Sequence, residues 1–216
     1  MRKYTAEFIG TFALVFCGTG AIVIDHAAGG VVTHTGVAIT FGLIVMAMIY
    51  SVGDISGAHL NPAVSIAFSI AKKFPRKEVV PYLLAQCSGA LFASFLLHLL
   101  FPGDLTLGST FPAGSYAQSF ILEVILSFFL MFVILSVSHG AKESGLFAGI
   151  AVGSVVLLEA QFAGPVSGAS MNPARSLAPA LVSGNLSALW IYMAAPVCGA
   201  ALSVPVMDYL RKKEKS

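Results

Sequence analysis

One ten-residue phrase occurs twice in this chain, and the two copies cannot enter a membrane from the same side. Ser56-Gly57-Ala58-His59-Leu60-Asn61-Pro62-Ala63-Val64-Ser65 and Ser167-Gly168-Ala169-Ser170-Met171-Asn172-Pro173-Ala174-Arg175-Ser176 agree at seven of ten positions. Between them lie three apolar stretches, each about long enough to cross hydrocarbon. An odd number of crossings puts the copies on opposite sides. Any fold that uses both copies alike must therefore be inverted about an axis in the membrane plane.

The membrane itself follows from composition. The 216 residues are 57% hydrophobic and 10% charged, where soluble domains carry about 25% charged residues. Apolar runs cover roughly Tyr4–Ile24, Val37–Val52, Val79–Phe101, Ser119–Val137, Leu146–Phe162 and Leu189–Leu210. In lipid each must be a helix, because every backbone polar group needs an internal partner. The first run carries Glu7 and is longer than a typical signal h-region, so it is taken as a span. Two further segments, Asn61–Ala71 and Asn172–Leu181, are apolar but too short to cross. They follow the second and fifth spans, in corresponding positions of two halves, which points to broken helices lining a central path. Glu7 early in span one is matched by Glu123 early in span four.

The sequence thus predicts an all-α membrane protein with six transmembrane helices and two re-entrant half-helices. It forms one channel domain, 1–216, built of inverted three-span repeats at approximately 1–101 and 118–210. Eleven of the twelve Lys and Arg residues fall on one side of this arrangement: Arg2, Lys3, Lys72, Lys73, Arg76, Lys77, Lys142, Arg211, Lys212, Lys213 and Lys215. The positive-inside rule makes both termini cytoplasmic. The exception is Arg175. A cation at membrane depth is costly and functional by default, against the plainer possibility of a side chain snorkelling to the outer interface.

Asn followed by Pro starts a helix well. Asn caps free N–H groups and Pro needs no N–H partner at the first position. Once, the pair has little meaning; twice, in matching flanks and inverted halves, it marks a site. The two half-helix N-termini should meet near the midplane, where their positive dipole ends repel cations and the two Asn amides can donate to a passing solute. The approaches Gly53–Leu60 and Ala163–Met171 read as non-helical backbone, tolerated at this depth only if buried or lining a wet cavity.

Other chemistry is sparse. Cys17, Cys87 and Cys198 lie in apolar runs without zinc or disulfide spacing and are taken as packing residues. His26, His34, His98 and His139 show no ligand spacing. No cofactor or metal is implied. No basic stripe suggests nucleic acid, and no nucleophile–base pair suggests an enzyme.

Through both phrases the chain resembles the aquaporin (major intrinsic protein) family over nearly its whole length, Ala6-Glu7-Phe8 included. The resemblance implies passive conduction of water and small uncharged solutes, and a homotetramer whose protomers each carry a pore. It implies that Asn61, Pro62, Ala63, Asn172, Pro173 and Ala174 form the central constriction and that Arg175 lines the outer one. Glu7 and Glu123 become acceptors that orient the loops, rather than a proton relay, and His59 a residue that shapes the first loop. Glu159 has no clear counterpart; holding the outer loop is one role open to it.

The family register, counted back twenty residues from Asn61 and twelve and three from Asn172, gives Phe41, Ala160 and Ala169 beside Arg175. Water-specific members carry His where Ala160 stands. A wider filter with an apolar wall opposite Arg175 suits solutes with one carbon face and one hydroxyl face. The stretch from Gly164 to Leu177 looks most like the nodulin-26-like branch and its bacterial relatives, associated with glycerol, urea and the neutral arsenite, boric and silicic acids. The short termini look bacterial, which would put the chain in an inner, plasma membrane. The alternatives are a water-selective aquaporin, an ion-coupled carrier using Glu7, Glu123 and Glu159, and a non-conducting structural protein of the same fold.

Overall fold

The computed structural model describes residues 1–138 and 146–212, and all regular structure among them is helical. Lys142, Lys213 and Lys215 of the charge pattern, and His139, lie outside those residues. The helices are α1 (Arg2–Ala27), α2 (Thr33–Ser56), α3 (Pro62–Ile70), α4 (Arg76–Leu100), α5 (Tyr116–Val137), α6 (Ala148–Ser167), α7 (Pro173–Ser183) and α8 (Leu189–Leu210). All except α3 and α7 are long and apolar enough to cross a membrane, so the protein is a multi-pass membrane protein. The nine-residue α3 rises roughly 14 Å at 1.5 Å per residue, about half of the hydrocarbon core.

The helices overrun the apolar windows at several ends, and one overrun is a correction. The stretches 53–60 and 163–171 are not wholly irregular: α2 continues to Ser56 and α6 to Ser167, leaving only 57–60 and 168–171 outside helices. Pro165 should have ended α6 earlier, since it cannot donate to the carbonyl four residues back. That carbonyl, on Gln161, bonds His34 Nε2 instead at 2.7 Å. A side chain from α2 thus lets α6 run one turn further.

Packing follows the inverted repeat. α1 lies against α4 as α5 lies against α8; α1 meets α2 as α5 meets α6; α4 meets α7 as α8 meets α3. Helices α2 and α6 cross on the pseudo-axis, where glycines permit contact between main chains. A Cβ on Gly42 would sit 2.6 Å from the Gly153 carbonyl oxygen, and one on Gly153 2.7 Å from that of Gly42. Small residues at such crossings replace the hydrophobic drive that lipid removes.

The basic residues gather at one end of the bundle. Lys3 pairs with Glu78 at 2.9 Å, joining the starts of α1 and α4, and Arg211 Nη2 donates to Ser136 O at 2.8 Å, joining the ends of α8 and α5. Around the bundle, Leu84, Phe95, Ile121, Phe129, Leu158 and Phe162 point outward and exposed, as a lipid-facing surface requires. Cys198 is exposed as well and so is not a packing residue, Cys17 is half-buried, and Cys87, also half-buried, packs against the hydrophobic core as expected.

Candidate functional site

The two half-helix starts are tied to each other. Asn61 Oδ1 caps α3 by accepting from Ala63 N at 2.9 Å, and Asn172 Oδ1 caps α7 by accepting from Ala174 N at 3.0 Å and Arg175 N at 3.4 Å. Pro62 and Pro173 occupy the first helical positions. Asn61 Nδ2 then donates to the Met171 carbonyl at 2.7 Å, and Asn172 Nδ2 to the Leu60 carbonyl at 2.8 Å. An amide nitrogen has two hydrogens. One is used in the strut, and one is left on each asparagine at the cavity both residues line.

Two buried carboxylates fold the loops that precede the asparagines. Glu7 accepts from Ser56 Oγ (2.7 Å), His59 N (2.9 Å), Leu60 N (2.8 Å) and Gln86 Nε2 (2.8 Å). Glu123 accepts from Ser167 Oγ (2.7 Å), Ser170 N (2.8 Å) and Met171 N (2.9 Å). A charge in a dry interior is tolerated only when its lone pairs are occupied in this way. Drawing the N–H groups to one side turns the carbonyls to the other. Gly57, Ala58 and His59 line the cavity, as do Ala169 and Ser170. Among the described residues no hydrogen bond ends on the carbonyl oxygens of Gly57, Ala58, His59, Gly168, Ala169 or Ser170. Tyr82 and Tyr192 close each loop from behind, donating to Ser56 O at 2.9 Å and Ser167 O at 2.6 Å.

Two cavities lie along this axis. The inner one runs from Ser138 and Ala148, at the basic end, past Asn61 and Asn172; the outer one is lined by Asp25, His34, Ser109 and Phe111. Four residues line both: Phe41, Ala160, Ala169 and Arg175. Arg175 is 3% exposed. Its guanidinium carbon stands 5.1 Å from the centre of the Phe41 ring, and its Nη1 donates to Gly108 O at 2.7 Å. Ala160 offers only a methyl group on the third side. The inner cavity carries Val45, Leu130, Val152 and Val156 opposite the loop carbonyls, giving one apolar and one polar wall.

His59 is half-buried among Phe68, Phe74 and Tyr82, with ring centroids 4.8, 4.7 and 5.2 Å away. Its Nδ1 meets Ser65 Oγ at 3.0 Å, and its backbone N–H is one that Glu7 takes. Glu159 does not hold the outer loop: it is buried, its Oε2 has no partner, and among the described residues nothing donates to it. That loop is held by Glu123. The residues that sequence reasoning missed are Gln86, Tyr82, Tyr192 and Gly108. Gln86 was detectable as an amide inside an apolar span, and the tyrosines as a repeat; nothing local marks Gly108. No group of His, Cys, Asp and Glu among the described residues could hold a metal ion.

Comparison with known proteins gives the following similarities. Residues 1–207 match the family model described as Major intrinsic protein. The chain is 49% identical to Aquaporin NIP1-4 of Oryza sativa subsp. japonica, covering 98% of this chain and 77% of that one. It is 46% identical to Aquaporin NIP3-1 of Arabidopsis thaliana, covering 100% and 69%. It is 44% identical to Nodulin-26 of Glycine max, covering 100% and 80%. Its fold matches the X-ray structure of the aquaglyceroporin from Plasmodium falciparum with a TM-score of 0.86 and 29% identity, over 96% of this chain and 98% of that one. These are plant and parasite proteins, and the bacterial relatives expected from the stretch Gly164 to Leu177 are not among them.

Proposed function

From the premise that the chain belongs to the major intrinsic protein family, and so to a family of channels for water and small solutes rather than of enzymes, we propose that it conducts glycerol and similarly small neutral solutes alongside water. Urea and the neutral hydroxides of arsenic, boron and silicon fall in the same size and polarity class. The observation that carries this is the alanine at position 160. It lies where the two cavities meet, facing Arg175 and Phe41 with a methyl group and no ring.

The mechanism needs no moving charge. A solute in the outer cavity exchanges water for hydrogen bonds from Arg175 while its carbon atoms lie against Phe41 and Ala160. It then passes along loop carbonyls to the spare N–H groups of Asn61 and Asn172, and leaves along the carbonyls of the other loop. Cations are opposed twice, by the guanidinium and by the N-terminal dipoles of α3 and α7. A carrier reading of Glu7, Glu123 and Glu159 has little support, because the oxygens of the first two are occupied by the donors that shape the loops and Glu159 lines neither cavity.

The same reading places both termini in the cytoplasm, by the side on which the basic residues lie, puts the chain in a plasma membrane, and gives a homotetramer of four independent pores. Stopped-flow light scattering on proteoliposomes tests the solute claim. Glycerol and water permeabilities well above those of empty vesicles, without dependence on a proton gradient, are expected. Water conduction without glycerol conduction would make the protein water-selective, and gradient-dependent uptake would make it a carrier.

A further inference from the structure

The guanidinium at the junction of the two cavities is anchored from outside both repeats. Its acceptor, the Gly108 carbonyl, belongs to the connection between α4 and α5. That connection is shaped by one carboxylate. Asp104 Oδ1 accepts from Thr106 N, Thr106 Oγ1 and Leu107 N, each at 2.8 Å. Asp104 Oδ2 bonds His26 Nδ1 at 2.8 Å, at the end of α1. The Asp104 side chain is 7% exposed, and that of His26 54%. Burial alone would raise the Asp104 pKa, but His26, Thr106 and Leu107 outweigh it and hold the carboxyl below its ordinary range.

The turn so formed is tight. Leu107 is fully buried at φ 51°, and Gly108 follows at φ 69°. A Cβ on Gly108 would meet Thr19 Cβ at 2.9 Å and Thr19 O at 3.1 Å, so the chain lies directly on α1. Asn185 Nδ2, just past α7, donates to Leu105 O at 3.0 Å. The segment is thereby fixed between α1 and the end of α7, with one carbonyl aimed at Arg175.

We infer that Asp104, braced by His26, is a positioning residue for solute selection: it sets the Gly108 carbonyl, which in turn holds the Arg175 guanidinium beside Phe41 and out of the lumen. The size preference rests on the proposed conduction of glycerol; the hold on Arg175 does not. Without Asp104 the turn loses three acceptor bonds and its hydrogen bond to the end of α1. The guanidinium then loses its acceptor and turns into the path, and a solute with a carbon skeleton is obstructed more than water.

The test uses the full chain in proteoliposomes as wild type, Asp104→Ala, Asp104→Asn and His26→Ala. Two quantities are read: the glycerol-to-water permeability ratio, and the rate of phenylglyoxal modification of Arg175, located by mass spectrometry with Arg2, Arg76 and Arg211 as internal standards. In Asp104→Ala the ratio should fall about tenfold or more, the worth of a charge-assisted hydrogen bond, and modification should quicken by a similar factor. His26→Ala should shift both in the same direction by less. Asp104→Asn, which keeps the acceptor oxygen, should stay within about twofold of wild type. If Asp104→Ala does not assemble, His26→Ala decides, since His26 is exposed. Unchanged modification of Arg175 in the alanine variants overturns the inference whatever the protein conducts. A wild type that excludes glycerol overturns the functional reading alone, and the modification rates still decide the hold on Arg175.

Discussion

In the first repeat Gly57, Ala58 and Leu60 have φ values of 85°, 46° and 52°; in the second Gly168, Ala169 and Met171 have 83°, 41° and 54°. Four of these residues are not glycine, and left-handed backbone costs them on the order of 1–3 kcal/mol each. The same unfavourable path is taken twice because the same kind of carboxylate enforces it twice. The side chains around it differ. After the first Asn-Pro-Ala comes Val64, and after the second Arg175. His59 sits among aromatic rings, while Ser170 bonds Ser176 Oγ at 2.6 Å. Gln86 gives Glu7 a fourth donor; by the spacing that relates Tyr82 to Tyr192, the matching residue in α8 is Pro196. The two loops teach that the scaffold is duplicated and the selection is not. Backbone polarity is symmetric, and the charge stands in one half.

The largest expected effect comes from erasing that difference. Arg175→Val gives the second repeat the residue of the first. A fixed charge roughly 6 Å from a passing cation opposes it by about 3 kcal/mol at an effective dielectric of about 20, so the leak of monovalent cations from vesicles should rise roughly a hundredfold. A leak that stays at the wild-type level would mean the half-helix dipoles suffice.

Next come the carboxylates. Glu7→Gln and Glu123→Gln each strand a backbone N–H, at about 1–3 kcal/mol. In the first repeat the buried, unpartnered Oε1 of Gln86 can turn to meet the new amide; Pro196 offers no such rescue. Thermal unfolding in detergent should therefore show the greater loss for Glu123→Gln. Equal losses would remove Gln86 from the account.

A smaller effect is expected at the junction itself. Ala160→His should lower glycerol permeability about tenfold, within the range by which small steric differences alter discrimination, and water permeability by less than about twofold. Equal loss of both in stopped-flow swelling would count against the width argument. Smallest of all is the response to mercurials. None of Cys17, Cys87 and Cys198 lines either cavity, so the wild type should be little affected, whereas Ala169→Cys should become sensitive. Strong inhibition of the wild type would mean that a cysteine reaches the path.

Much of this was legible in the sequence because lipid leaves few choices. Six apolar runs must be helices, and all six are present. Two short runs beginning at Asn-Pro form α3 and α7, starting at Pro62 and Pro173. The helix ends were less legible. Thr33, Asp54 and Ser56 look like loop residues, but they are helical because spans extend past the apolar core. The end of α6 depended on His34, which comes from another helix and leaves no local mark. The same limit hid Gly108: its importance lies in one carbonyl, and main-chain acceptors have no signature in side-chain identity. Glu159 shows the opposite failure. A carboxyl in a span invites a role, and the loop-holding role offered for it belongs to Glu123.

The crossed struts have a consequence for how the protein is made. Asn61 finds its partner 110 residues along the chain, and the Leu60 carbonyl waits for a donor 112 residues away. A chain entering the bilayer from its N-terminus carries the first half-helix in before its mate exists. Until Asn172 arrives, the Leu60 oxygen has no protein donor at a depth where water is scarce. The first repeat cannot mature alone. The lumen is completed in one late step, and a nascent chain halted before the second phrase holds half a pore with an unmet polar edge, the kind of defect that membrane quality control can recognise.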